Sequence, residues 1–247
     1  ISTGFAVGYY GKIFRTTNGG NNWNLTILNP STYLWSVKFL NSNTGYIVGG
    51  GTLQNVQGRL YKTTNSGINW DSLNYGNNQN LVGLSVKNNN VVATGYFGFT
   101  VKSTDNGINW NILSSGQTNI NYNHVGFNDI NTGYITGTSG TILKTTNTGS
   151  TWNTLNTNIN TDLNKTIFIN NNIGFTIGNN GTLLKTTNEG SNWNSLNTGT
   201  NYILSDIQFV NQQTGYIICN YTAQILPPYY GGKIIKTTNT GATWSEI

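Results

Sequence analysis

Catalysis needs chemically competent side chains placed together, and this 247-residue sequence offers few of them. Its carboxylates are Asp71, Asp105, Asp129, Asp162, Glu189, Asp206 and Glu246. Glycoside hydrolysis would require two of them to face each other across a cleft, about 5–9.5 Å apart. Asp105 and Glu189 belong to a repeated turn and Glu246 stands near the end; of the rest, Asp162 and Asp206, which lie around corresponding connections of neighbouring repeat units, are the one candidate pair. His124 is the single histidine and Cys219 the single cysteine. A zinc site therefore has no companion ligands, and no intrachain disulfide can form. A nucleophilic triad would have to be built on His124, but no G-x-S-x-G elbow accompanies it. Gly49-Gly50-Gly51 opens no helix, so it is not a phosphate loop. Cys219 reads as a small buried apolar residue. The sequence thus predicts no catalytic residue, no metal and no cofactor.

Binding chemistry is better supplied. Aromatic residues make up 12% of the chain, and their faces stack on sugars or anchor protein contacts. Tyr33, Tyr75, Tyr122, Tyr202 and Trp35 fall in or beside Asn-rich connections. A second group, Tyr221, Tyr229 and Tyr230, flanks Ile225-Leu226-Pro227-Pro228 in a stretch expected to be an expanded loop. Thr52 to Gln57 is expected to be another.

The elements that position these residues follow from a repeat. TTNGGNNW, ending at Trp23, recurs as TTNSGINW (Trp70), STDNGINW (Trp110), TTNTGSTW (Trp152), TTNEGSNW (Trp193) and TTNTGATW (Trp244), at intervals of 47, 40, 42, 41 and 51 residues. Upstream of five boxes stands an echo: GFAVG (4–8), GYIVG (45–49), GYITG (133–137), GFTIG (174–178) and GYIIC (215–219). The third unit departs, with VVATG at 91–95. Each unit reads as four short strands separated by Gly and Asn turns, the signature of a propeller blade. A lone four-stranded sheet cannot bury both faces, whereas stacking blades in a ring does so. With 44 Asn and 37 Thr, and no apolar run near the roughly 18–20 residues of a spanning helix, helical and membrane-spanning classes drop out.

The box has a physical rationale. Its glycine supplies φ > 0 for a tight turn. The Asn or Asp two residues earlier accepts backbone N–H bonds, assisted by the preceding Thr or Ser. Each Trp inserted between sheets contributes about 4–6 kcal/mol gross. Six structural pairs follow: Asn18 and Trp23, Asn65 and Trp70, Asp105 and Trp110, Asn147 and Trp152, Asn188 and Trp193, Asn239 and Trp244.

These boxes resemble those of the Asp-box, or BNR-repeat, propellers, whose pattern is Ser/Thr-x-Asp-x-Gly-x-x-Trp. Ser103 to Trp110 fits completely, and the other five copies carry Asn for Asp. With the GYxxG echo the chain looks most like photosystem II assembly-factor-like propellers and those of large secreted bacterial surface proteins. The resemblance implies a β-propeller, in a family that holds enzymes, receptors and assembly factors alike. A sialidase-like member would need an arginine cluster, and only Arg15 and Arg59 occur.

The expected architecture is all-β: residues 1–247 as one propeller domain of six four-stranded blades, excised from a longer chain, with seven blades as the second reading. The first unit lacks its first strand, so one blade should be incomplete at the N-terminus and open to strand addition. Aligning first strands on Phe39, Phe127, Phe168 and Phe209 places Ser36, His124, Lys165 and Asp206 in one column, expected at the mouth of a central channel. Arg15, Lys62, Lys102, Lys144, Lys185 and Lys236 share one repeat position and are expected to be solvated and dispersed. The net charge of +5 therefore forms no nucleic-acid footprint. The functional expectation is a non-catalytic protein-interaction or assembly module of a secreted or cell-surface protein of bacterial type. Its partner would be another protein or a neighbouring domain. A carbohydrate-binding propeller is the alternative, and a glycoside hydrolase the remote one.

Overall fold

The computed structural model describes residues 2–51, 57–114, 117–223 and 229–247, with backbone alone at 114, 221–223 and 229–230. The chain is all-β: six antiparallel sheets form a six-bladed β-propeller, five blades with four strands and the first with three. Blade five is representative, with strands Leu163–Phe168, Gly174–Gly178, Leu183–Thr186 and Asn194–Leu196 in sequential order. The first strands of blades two to six, Thr32–Phe39, Leu81–Lys87, Tyr122–Phe127, Leu163–Phe168 and Ile203–Phe209, touch in succession and make the inner ring.

Register explains the leading glycine of each echo. Phe39 pairs with Gly45, Phe127 with Gly133, Phe168 with Gly174 and Phe209 with Gly215. A Cβ on any of these glycines would lie 2.7–2.8 Å from the ring of its partner. In blade three the inner strand offers the smaller Val86, and its partner is Val91 rather than glycine. The glycine follows the ring.

The core lies between blades, in five apolar clusters that join consecutive blades one to six. At three junctions an aromatic residue of one blade stacks on the inner-strand Phe of the next: Phe5 on Phe39 at 4.3 Å, Tyr134 on Phe168 at 4.4 Å and Phe175 on Phe209 at 4.9 Å. The box Trp of the second blade meets that Phe edge-on, as with Trp193 and Phe168 at 6.1 Å and 77°. Such pairs add about 0.5–1.5 kcal/mol beyond area burial.

The repeated basic position is not simply solvated. Each of five side chains crosses a junction to the next blade's box turn: Arg15 Nε donates to Ser66 O (2.9 Å), and Lys62 Nζ to Asn106 O (2.7 Å). Lys102 Nζ donates to Thr148 Oγ1 (3.0 Å), Lys144 Nζ to Glu189 O (2.9 Å) and Lys185 Nζ to Thr240 O (2.7 Å). These cations tie the ring together; the sixth, Lys236, stands 5.6 Å over Tyr216 of its own blade.

All six boxes share one network. In blade five, Thr186 Oγ1 donates to Asn188 Oδ1 (3.0 Å) and accepts from Gly190 N (2.9 Å), while Asn188 Oδ1 accepts from Asn192 N (3.0 Å). Five box tryptophans pack in junction clusters. Trp23 does not. It is 45% exposed, against 8% for Trp193. The expectation of six equivalent anchors is corrected here: a box Trp is buried by the neighbouring strands, and blade one lacks an inner strand.

Candidate functional site

The box turns occupy one face of the ring. The turns between second and third strands lie on the other, and four share one backbone: Gly8-Tyr9-Tyr10-Gly11, Gly95-Tyr96-Phe97-Gly98, Gly137-Thr138-Ser139-Gly140 and Gly178-Asn179-Asn180-Gly181. In each, the residue after the second glycine donates back to the second residue of the turn: Lys12 to Tyr9, Phe99 to Tyr96, Thr141 to Thr138, Thr182 to Asn179. The third residue is left-handed every time, with φ of 61° at Tyr10, 57° at Phe97, 55° at Ser139 and 54° at Asn180. Asn tolerates this region well, whereas a bulky aromatic residue is an outlier there. Burial does not offset the strain, because Tyr10 is 56% and Phe97 58% exposed.

Tyr9 and Tyr10 belong to an aromatic cluster. Tyr9 lies 4.7 Å from Tyr33 and 5.8 Å from Trp35, ring to ring, and Tyr10 lies 6.0 Å from Tyr33. Lys12 Nζ stands 6.0 Å over the Tyr10 ring. Trp35 reaches this cluster because it is the extra residue of a β-bulge in the inner strand, between Leu34 and Ser36. All five inner strands bulge at the equivalent place, with Val82, Asn123, Asn164 and Ser205 as the other extra residues. A bulge re-aims a side chain. Asn123 and Asn164 use it to donate to Leu163 O (2.9 Å) and Leu204 O (3.0 Å) of the next blade. Trp35 presents a ring.

Just past the bulge comes the column of Ser36, His124, Lys165 and Asp206, which occupy matching registers opposite Val48, Thr136, Ile177 and Ile218. Lys165 and Asp206 form an ion pair. Burial, then the charges of Lys165 and Lys38, depress the His124 pKa to about 3, so the imidazole is neutral at ordinary pH. Its Nδ1 is buried without a hydrogen bond among the described residues. Lys38 titrates below its ordinary value because of burial, then Lys165, with Asp206 opposing.

Six of the seven carboxylates have local partners. Asp162 accepts Ser139 N (3.0 Å), Asp206 pairs with Lys165, and Asp129 accepts Asn131 N (2.7 Å) and Thr132 N (2.8 Å). Glu189 lies 3.6 Å from Lys144, and Glu246 2.6 Å from Lys233. Asp105 is held down to about pKa 2 by hydrogen bonds from Asn109 N and the Ser103 hydroxyl. Among the described residues no three His, Cys, Asp or Glu side chains gather as a metal site. No helix among them is long and apolar enough to cross a membrane.

Several expected site residues lie elsewhere. Tyr75 is buried between blades two and three, its hydroxyl donating to Gln79 O (2.8 Å), and burial raises its pKa. Tyr122 is wholly buried between blades three and four. Neither is on the rim; both were misplaced because Asn-rich flanks read as exposed. Tyr202 is half-buried, with Lys233 Nζ 5.5 Å over its ring. Tyr221, Tyr229 and Tyr230 are in a β-ladder, not a loop, because the strands run Gly215–Ala223 and Tyr229–Thr237. Residues 224–228 and 52–56, which held the rest of the two expanded connections, lie outside the described residues. Tyr9, Tyr10 and Phe97 escaped the sequence reading, although aligning the four G-x-x-G turns would have exposed them.

Six sheets of this kind, each with a Thr/Ser-x-Asn/Asp-x-Gly-x-x-Trp turn between its third and fourth strands, make a BNR-type β-propeller. It resembles the photosystem II assembly factor YCF48, whose family model matches residues 106–187. A solved YCF48 bound to a D1 peptide is 17% identical with a TM-score of 0.76, covering 99% of this chain and 76% of that one. YCF48 from Cyanidioschyzon merolae is 18% identical with a TM-score of 0.68, covering 87% of this chain and 76% of that one. The GH74 xyloglucanase from Xanthomonas campestris is 10% identical with a TM-score of 0.75, covering all of this chain and 43% of that one. At these identities the likeness concerns the fold. No curated protein sequence matches the chain.

Proposed function

We propose that this propeller is a non-catalytic protein-interaction module of a larger secreted or cell-surface protein, and that it contacts its partner through the rim built by Tyr9, Tyr10, Tyr33 and Trp35. One observation carries the reading: two turns hold bulky aromatic residues in a left-handed conformation and expose them to solvent. Strain of this kind persists where the surrounding structure fixes it and concentrates at binding sites, and exposed aromatic patches mark contact surfaces. The structural likeness to a propeller solved with a bound peptide supports a polypeptide ligand. The dispersed carboxylates, six of the seven engaged locally, support a role without chemistry. The charge-poor, amide-rich composition suits an extracellular setting.

A carbohydrate ligand is the second reading, because the same exposed rings could stack on sugars. Panning a displayed random-peptide library against the wild type and a Tyr10→Asn/Trp35→Ala variant separates the two. Peptides selected on the wild type should bind the variant at least tenfold more weakly. If no peptide is selected, while a glycan array shows retention that the same substitutions abolish, the protein-partner reading fails.

A further inference from the structure

We infer that the cavity between blades five and six is a second binding site, separate from the rim and independent of it, and that it takes a neutral carbohydrate of one or two pyranose rings. The cavity holds about 500 Å³, within the roughly 300–1,000 Å³ of small-ligand sites. Blade five supplies the connection from Asn197 to Tyr202, and blade six supplies Cys219, Lys233, Trp244 and Glu246.

The junction between blades four and five shows that side chains, not backbone, make the opening. The connections from Trp152 to Leu163 and from Trp193 to Leu204 have equal length and matching hydrogen bonds. Thr157 Oγ1 donates to Gly140 O (2.8 Å), and Thr198 Oγ1 to Gly181 O (3.0 Å). Gly140 N donates to Thr161 O (2.9 Å), and Gly181 N to Tyr202 O (2.7 Å). Each connection has one left-handed residue, Asn158 (56°) or Gly199 (71°), whose N–H donates to Asn156 Oδ1 or Asn197 Oδ1 at 2.9 Å.

On this shared backbone the side chains diverge. Ile159 gives way to Thr200, Thr161 to Tyr202, Thr182 to Lys233 and Ser195 to Glu246. Ile159 packs against the cluster that buries Trp193. At the next junction a Cβ on Gly199 would touch nothing within 4 Å, and Trp244 is only half-buried. A shortened strand is not the cause. After a two-residue ladder Ile247 N donates to Ile234 O (3.1 Å), as Leu73 N donates to Leu60 O (2.8 Å) in blade two.

The lining specifies the ligand. Lys233 Nζ lies 2.6 Å from Glu246 Oε2 and 5.5 Å over the Tyr202 ring. The ion pair is neutral as a unit, so a charged ligand would be left uncompensated. Hydroxyl groups, which donate and accept at once, satisfy the ammonium and the carboxylate together. Tyr202 and Trp244 add ring surface for the C–H face of a sugar. Cys219 is buried beneath, and burial, then the Glu246 charge, pushes its thiol pKa up. It therefore stays protonated and supplies no nucleophile.

Methyl glycosides of glucose, galactose, mannose and N-acetylglucosamine, followed by saturation-transfer NMR at millimolar concentration, test the site. At least one should bind. The variant Thr200→Ile/Lys233→Thr/Glu246→Ser copies the side chains of the neighbouring junction. It should keep its Tm and bind about tenfold or more weakly, the worth of a hydrogen bond to a charged group. Glu246→Ser alone, at an exposed residue, should weaken binding in the same direction and leave the fold intact. A glycan array then separates the sources: retention assigns the end of a partner's glycan, and its absence a free sugar. Failure of all four glycosides to bind, or equal binding by the wild type and both variants, overturns the inference. If the sugar is lost instead from a Tyr10→Asn/Trp35→Ala chain, the rim is the sugar site and the cavity is not.

Discussion

The two faces of the ring use the same backbone device for different ends. A box turn and a rim turn each place two successive residues in the left-handed region: Thr240 and Gly241 at 57° and 70° in one, Tyr10 and Gly11 at 61° and 66° in the other. In the box, the strained residue offers its carbonyl to the preceding blade. Ser66 O receives Arg15, Glu189 O receives Lys144 and the Tyr134 hydroxyl, and Asn106 O receives Lys62 and the Tyr46 hydroxyl. Strain there is offset inside the fold. On the rim, Tyr10 and Phe97 are more than half exposed, so burial offsets little of the cost. Box turns tie one blade to the next, and rim turns present their side chains outward.

That contrast can be broken or sharpened, beginning with the largest effect. Trp193→Ala, in a closed junction, should cost about 3–5 kcal/mol in urea unfolding. Trp23→Ala should cost under about 1 kcal/mol, since the ring is half exposed. Equal losses would mean that the box motif, not the neighbouring strand, confers the stability. Asn188→Ala removes the acceptor for Asn192 N and Thr186 Oγ1 and should cost about 1–2 kcal/mol.

Two titrations follow. His124 stays neutral in the fold down to about pH 3 but protonates near 6.5 when unfolded. The unfolded state therefore binds the extra proton between these values, and stability falls as pH drops through that window. His124→Gln should flatten this part of a pH series of urea midpoints. Asp105 behaves likewise over a lower window. Its pKa falls from 3.8 to about 2 on folding, so its contribution is complete above pH 3.8 and is lost on acidification towards 2. Asp105→Asn should flatten the fall in stability between pH 3.8 and about 2, and the stability it loses relative to the wild type should appear at neutral pH and vanish below about pH 2.

Most of the fold could be read from the sequence because its determinants are local and repeated. The box carries its own turn residues and its Trp, and the absent first strand of blade one is visible by counting. Relations across junctions were harder. The shared basic position is plain in the sequence, but that Lys62 ends on Asn106 O, 44 residues away, depends on the packing of one blade on the next. Tyr75 and Tyr122 sit among amides and still become core, for the same reason. Of the rim, Tyr33 and Trp35 were anticipated. Tyr9 and Tyr10 were not, because a left-handed aromatic leaves no trace in composition or alternation.

Tyr10→Asn bears most directly on the account. Asn accepts φ near 61° far more readily than Tyr, so urea unfolding should show stability raised by about 0.5–1 kcal/mol while binding of the selected peptides drops at least tenfold. Stability that falls, with binding retained, would show that the ring is there to hold the fold and that the rim is not the contact surface.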